Sequence, residues 1–473
     1  MKTFMNVRLF SRRGGGGERR AGKPGLQLFA LAHRSSRLAP RHAALSLALL
    51  CLVAPVLAQQ PPEVTSTMNQ TQAQLQILRI AIPSPTLGPS SAEAGAQPAT
   101  FEVVNPNFFA PLTRDVAASG VFAIAPLPPS VNVNAPDLMK TANAQLLLKL
   151  NVFAIGQEYV VEARMVDTNN SIQYGKRYRG QVGALSRIAH TVANDMVRAM
   201  NGRPGIFLSQ IAYASNRTGV YEIWLMDWDG SNQRQITRHA NLSILPSWSA
   251  DNERMVYTSF FTARGTSDMY IINRHGGERV RVNTGLGLNT SATFSPTSND
   301  IAFVGSVHGN PDIYVIKDDS SNLRRLTTDD TIESTPEWSP TGRQISFTSG
   351  RSGTPQIYVM DAEGTNVRRI SFEGEWNDDA TWSPDGEQLA YTSRVNGRFQ
   401  LRIMDLEHKQ SRVLAGEGSN EQPTWSPDGR WIAFQSNRSG RWQVYKMRTD
   451  GTELLQLTFD GENKDPDWSK KAE

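Results

Sequence analysis

Six aromatic–serine pairs recur along the chain at a nearly constant interval, and this interval restricts the possible folds more than any other feature. They are Trp248-Ser249, Phe294-Ser295, Trp338-Ser339, Trp382-Ser383, Trp425-Ser426 and Trp468-Ser469, spaced 46, 44, 44, 43 and 43 residues apart. In the fourth copy, Ser383-Pro384-Asp385-Gly386 follows the tryptophan and Leu389-Ala390-Tyr391-Thr392-Ser393 comes next. Proline presets φ at the second turn position, aspartate bonds back to its own backbone, and glycine takes a left-handed conformation without steric cost. The module is therefore a β-hairpin.

Each hairpin is followed by a polar loop such as Arg351-Ser352-Gly353, a third strand such as Ile357-Tyr358-Val359-Met360, and a fourth such as Arg368-Arg369-Ile370-Ser371. Four strands repeating every 40–45 residues or so describe propeller blades. The second strand also occurs six times, but its first copy, near Ile211, lacks a preceding Trp-Ser strand, and Trp468 has no blade after it. The economical reading is a six-bladed ring over 204–473, closed by the C-terminal strand, which leaves only short, protected edges. In that ring the aromatics of the repeat anchor one blade to the next.

The rest of the chain is different in kind, so the fold class expected is multidomain: a small α/β (α+β) domain over 99–203, then the all-β propeller. Phe109, Leu112 and Val116 recur at helical spacing before Gly120. Three strand candidates, Gln145–Phe153, Tyr159–Asp167 and Ser171–Arg179, are joined by turn-like sequences. A second helix, Ala184 to Met200, puts Leu185, Ile188, Ala189, Val192 and Met196 on one face. His190, on this helix, is given a plain structural role. Residues 1–58 have an Arg-rich start, an apolar run from Ala43 to Leu57 and a small-residue cleavage site ending at Ala58, which reads as an export signal. Residues 59–98, rich in Pro, Gln and Ser, read as a flexible segment in which only 75–82 has strand character. The formal charge of +4 is misleading, because ten of the 49 Lys and Arg lie in the first 58 residues beside a single acid, Glu18. The remainder is net acidic, which argues against nucleic acid or anionic lipid as partner, and no membrane insertion is expected once the signal is cleaved. The single cysteine, Cys51, lies inside the apolar run, so the exported chain, expected to be a periplasmic monomer, contains no thiol chemistry.

An export signal, a small α/β domain and a ring of Trp-Ser-Pro-Asp-Gly repeats, in that order, together resemble the TolB family of the Tol–Pal envelope system. The similarity covers roughly residues 100–473 and includes Arg187-Ile188-Ala189-His190 and Gly205-Ile206-Phe207. The resemblance implies a non-enzymatic role. One propeller mouth would bind the peptidoglycan-associated lipoprotein Pal, and the extreme N-terminal segment would engage the inner-membrane protein TolA, in support of outer-membrane integrity and cell division. The sequence departs from the family pattern where Arg79-Ile80-Ala81-Ile82-Pro83 replaces a Gly-Val-Val-Pro-Phe-like strand.

Strand order puts the loop before each Trp-Ser strand and the loop between second and third strands on one face. The first set supplies His239 and the acids Asp329, Asp330, Glu333, Glu375, Asp378, Asp379, Glu421 and Asp465; the second supplies Arg217, Arg264, Arg351, Arg394 and Arg438. A mouth with both signs of charge suits a polar protein partner, charge steering the encounter more than setting affinity. No cofactor is expected. Ca²⁺, which takes six to eight oxygen ligands, is the one cation such a mouth suits, although Asp227-Trp228-Asp229-Gly230 is only a fragment of a calcium loop. A generic envelope-binding propeller is the alternative, and a hydrolase or lyase is a more distant one. A peptidase of this architecture would carry Gly-x-Ser-x-Gly, which does not occur, and the propeller histidines (His239, His275, His308, His408) fall in four different repeats.

Overall fold

A computed structural model describes residues 77–127, 135, 137–260, 266–307, 309–414 and 416–471. The export-signal reading, residues 59–76, Arg264 and His308 lie outside the described residues. None of the described helices is long and apolar enough to cross a membrane.

The α/β domain is a sheet backed by helices. Its strands are β1 (Leu78–Ala81), β2 (Ala96–Pro98), β3 (Phe122–Ile124), β4 (Leu146–Ile155), β5 (Glu158–Asp167) and β6 (Ile172–Gly180), in the order β3-β1-β4-β5-β6 with β2 on the far end of β4. The expected β4-β5-β6 meander is antiparallel, whereas β1 runs parallel to both β3 and β4. The segment read as a flexible linker thus contributes β1 and β2 to the sheet. A boundary at residue 99 would cut the sheet, because Ile80 and Ala81 are fully buried within it. Four residues are too short to show a period, so β1 is held by its neighbours rather than by its own pattern.

Helix α1 (Phe101–Val104) passes through a π turn at Asn105–Phe109 into α2 (Ala110–Ala118), and a short α3 (Leu138–Thr141) precedes the meander. The apolar faces of α2 and α4 (Leu185–Asn201) meet over the sheet, with Leu112, Val116, Ala189 and Val192 fully buried. Gly202, at φ 76°, ends α4 with its N–H bonded to the Arg198 carbonyl.

The propeller has six four-stranded sheets. The C-terminal strand Asn463–Trp468 pairs with Gln210–Ser215, Trp468 opposite Ile211, and becomes the innermost strand of the first blade. The repeat aromatics lie between blades. Trp248, Trp382 and Trp425 donate their indole N–H to backbone carbonyls of Asp467 (3.1 Å), Glu337 (3.3 Å) and Thr381 (3.2 Å) in the preceding blade. A second seam joins the blades near the loop face, where the Gln443 carbonyl oxygen accepts from Thr458 (2.7 Å) and from Asn463 of the next blade (2.8 Å). Gln356 does the same with Ser371 and Asn377, both at 2.8 Å. The core of the α/β domain continues into the propeller through Phe207, Trp228 and Trp431.

Candidate partner-binding channel mouth

Every innermost strand carries the same irregularity. At Leu245, Ser291, Thr335, Asp379, Gln422 and Asp465 the backbone is left-handed, with φ between 46° and 54°, and the strand register shifts there. A bulge re-aims the side chains around it. A cavity of about 120 Å³ on the ring axis is lined by residues of all six bulges, so the repeat builds a central channel. The bulge residues form its upper ring, and Ser247, Thr293, Glu337, Thr381, Thr424 and Asp467, each one residue before the repeat aromatic, form its lower ring.

The two faces of the propeller differ. Helices α2 and α4 cover the hairpin face at the first and sixth blades: Arg114 pairs with Asp229, and the guanidinium groups of Arg430 and Arg448 donate to the Ser119 and Ala118 carbonyls. Gly120, at φ 64°, leaves room for the Arg430 guanidinium, which a Cβ would strike. The opposite face carries the loops singled out in the sequence.

On that face the charged residues fall into three groups. Asp330, Glu375 and Arg394 are exposed on the rim. Asp379 and Asp465 line the channel, and Asp378 and Glu421, each one residue before a bulge, lie just behind it. Asp378 is buried and accepts from Thr348 (2.7 Å), Thr335 (3.2 Å) and the Asp379 N–H (2.9 Å). Burial raises the Asp378 carboxyl above the ordinary range, and burial together with Asp378, Glu421 and Asp465 raises Asp379 well above it. Asp465 is raised by burial, and Glu421 is pushed up to about 7 by burial and by Asp378 and Asp465.

The third group, expected at an open mouth with both signs of charge, is bonded into the blades instead. Arg217 bonds Ser215 (2.9 Å), Gln233 (2.6 Å) and Asn463 (3.1 Å) and lies over Trp224. Arg438 repeats this with Ser436 (3.0 Å) and Asn420 (2.6 Å), over Tyr445. Arg351 does so with Ser349 (2.8 Å) and Glu333 (3.2 Å), over Tyr358, with half-buried Asp329 at 3.8 Å. Each guanidinium ties its loop to the start of the innermost strand of its own blade. Glu333 is fully buried under Arg351, and burial raises its carboxyl. His239 is half-buried against the Tyr257 hydroxyl (3.2 Å), and burial with nearby Arg279 lowers its imidazole. Arg394 lies instead within the strand Gln388–Val395, paired with Phe399, and is exposed.

Sequence reasoning missed the lower ring. Lys470, just past the closing strand, reaches Asp467 (3.1 Å) and also Glu337 (3.6 Å), which belongs to the blade across the channel. Desolvation opposes its charge, but Asp467 and Glu337 hold the ammonium protonated above the ordinary lysine range. Thr293 donates to Glu337 (2.9 Å) and the Trp248 N–H to Asp467 (2.7 Å), so the floor is a bonded unit. The residue before each repeat aromatic was the available signal. Among the described residues, no group of three or more His, Cys, Asp or Glu is arranged to hold a metal ion.

A six-bladed ring covered on its hairpin face at two blades, with a carboxylate-lined channel on its axis, defines a β-propeller preceded by a small α/β domain. A family model described as the TolB beta propeller domain matches residues 197–472. The chain belongs to this family of TolB propellers. It is 30% identical over 245 residues to the "Protein TolB homolog" of Chlorobium chlorochromatii, covering 41% of this chain and 55% of that protein. It is 34% identical over 213 residues to the "Tol-Pal system protein TolB" of Geobacter metallireducens, covering 44% and 47%. The chain thus spans about half the length of these relatives. The crystal structure of TolB from Acinetobacter baumannii superposes with a TM-score of 0.69 at 24% identity, over 83% of this chain and 97% of that one, and shows the same fold.

Proposed function

We propose that the chain is the periplasmic, non-enzymatic TolB component of a Tol–Pal envelope system, and that the loop face of its propeller docks a Pal-like lipoprotein in support of outer-membrane integrity and cell division. The observation that carries this reading is the crowding of carboxylates at the end of the channel that the α/β domain leaves open, where Asp379 and Asp465 line the wall and Glu421 lies just behind it. Buried like charges cost stability unless something neutralises them. A partner that does so recovers that cost as binding energy. Engagement of a TolA-like protein would fall to residues 59–76, since 78–81 form a strand inside the sheet.

The test uses the soluble domain of a Pal-like lipoprotein and calorimetry. Asp379→Asn with Asp465→Asn keeps shape and removes charge, and is expected to weaken binding by at least tenfold. Unchanged affinity in a folded double variant would move the site elsewhere. Charge reversal at Asp378 is the wrong probe, because its carboxylate is bonded inside the wall. Capture of a TolA-like domain should be lost when residues 59–76 are removed, and retention would end that part of the reading.

A further inference from the structure

On the hairpin face, where the α/β domain meets the propeller, a group of ionisable side chains is almost wholly shut off from solvent. His190 on α4 is 1% exposed, Asp115 on α2 is 0% exposed, and the side chains of both residues and of Asp229 lie at 2% or less. The His190 Nδ1 is 2.6 Å from Asp115, within the α/β domain, and its Nε2 is 3.9 Å from Asp229, on the outer turn of the first blade. Lys446 of the sixth blade, 1% exposed, lies with its Nζ 3.4 Å from the centre of the Trp228 ring and donates to the Trp228 carbonyl at 3.0 Å. Arg114 alone reaches water, its side chain 49% exposed while it pairs with Asp229.

The chemistry of imidazole gives this arrangement two states. A neutral ring has one N–H, and only the imidazolium has two. With the Nδ1–H given to Asp115, a neutral His190 turns the Nε2 lone pair toward the Ser186 hydroxyl (3.4 Å) and the Asp229 carboxylate, which repels it. The imidazolium presents a donor to each carboxylate, one on either side of the domain boundary. We propose that His190 is a proton-operated latch, its imidazolium fastening the α/β domain to the hairpin face of the propeller and its neutral form releasing part of that hold.

The environment has the matching sign. Burial works against the charge, but Asp115, Asp229 and Asp227 raise the imidazole above its ordinary range. The contribution to docking is therefore complete below the free-histidine value and is lost as pH rises through the raised one. Asp115, raised by burial, retains an unpaired buried Oδ1, so it gains from a fixed proton nearby. Asp229 is held low, despite burial, by Arg114 and His190. Lys446 acts in the opposite sense, lowered to about 7 by burial while facing Asp229, Asp115, Arg114 and Glu453. Any test must cancel that lysine.

Amide hydrogen exchange does so when wild type and His190→Gln are compared at each pH in the full chain. The readout is the protection of α4 and of the turn 227–231, corrected for the intrinsic rate. The ratio of wild-type to variant protection is expected to exceed one at pH 6 and to fall by roughly tenfold or more by pH 9, tenfold being one unit of proton linkage. Asp229→Asn, which removes the acceptor across the boundary and leaves the Asp115 pair intact, should give the same pH-dependent loss. A ratio that is flat with pH for both variants would make His190 a mere filler and overturn the latch. Because Asp229→Asn also takes from Lys446 its principal carboxylate neighbour, its ratio is read in a Lys446→Met background, and should His190→Gln fail to fold, that comparison decides.

Discussion

The two ends of the channel are built from the same repeat, yet they treat charge in opposite ways. At the floor, Glu337 and Asp467 share Lys470, which the chain supplies from just beyond its closing strand. At the mouth, Asp379, Glu421 and Asp465 have no comparable cation: Lys464, the base that lowers Glu421 and Asp465, is turned to Glu462 (4.0 Å) and over Trp442. The compensated end lies toward the covered face, and the uncompensated end is open. A fold that neutralises its carboxylates at one end of a pore could do so at the other, so the crowding at the mouth is what the proposed docking of a partner would relieve.

The largest expected effect comes from breaking what both ends stand on. Trp382 is 8% exposed and bonded to the preceding blade. Trp382→Ala should cost roughly 3–5 kcal/mol in urea denaturation. A wild-type midpoint would mean that the blades do not depend on this seam. Next comes the floor. Lys470→Met removes the cation shared by carboxylates of opposite blades and, with that side chain one-third exposed, should cost about 1–2 kcal/mol, and Glu337→Gln in the same chain should restore part of it. If the double variant were as unstable as the sum of the singles, the cross-channel pair would not be an energetic unit.

How much of this was legible beforehand follows from where the information resides. The ring, its closure through Trp468 and the anchoring role of the tryptophans come from a period of 43 to 46 residues, which survives any detail of side-chain packing. The face carrying the loops follows from strand order alone. The fate of individual charges does not. Arg217 lies in a loop and meets an aromatic and a strand-start amide that tie it down, whereas Arg394 belongs to a lengthened strand, Gln388–Val395, paired with Phe399. The length of the hairpin decides the matter, and the repeat spacing does not resolve it. Strand β1 was hidden for a related reason: its partners lie about 40 and 65 residues away in the chain, and its polar surroundings in sequence resemble a linker. The meeting of His190 with Asp229 requires two domains to dock, which no local pattern encodes.

The mouth supplies the sharper tests. Because the Glu421 carboxyl is raised to about 7 by burial and by neighbouring carboxylates, the folded chain holds a proton there more readily than the unfolded chain does. Stability attributable to this group is greatest in acid and declines between about pH 4.5 and 7. Glu421→Gln removes the decline. It should leave stability nearly unchanged at pH 4.5 and raise it by roughly 2 kcal/mol at pH 8, the reverse in sign of the floor variant. Equal effects at both pH values would show that the mouth is not strained by charge.

The smallest stability effect is expected on the rim, where Asp330 and Glu375 are exposed. Asp330→Lys with Glu375→Lys should stay within about 0.5 kcal/mol of wild type. Rim charges act mainly on the encounter, so the double variant should slow association with a Pal-like domain at low salt, and the difference should shrink as salt is added. An association rate that ignores both the variant and the salt would leave the channel carboxylates as the whole of the site, and would separate steering at the rim from holding at the axis.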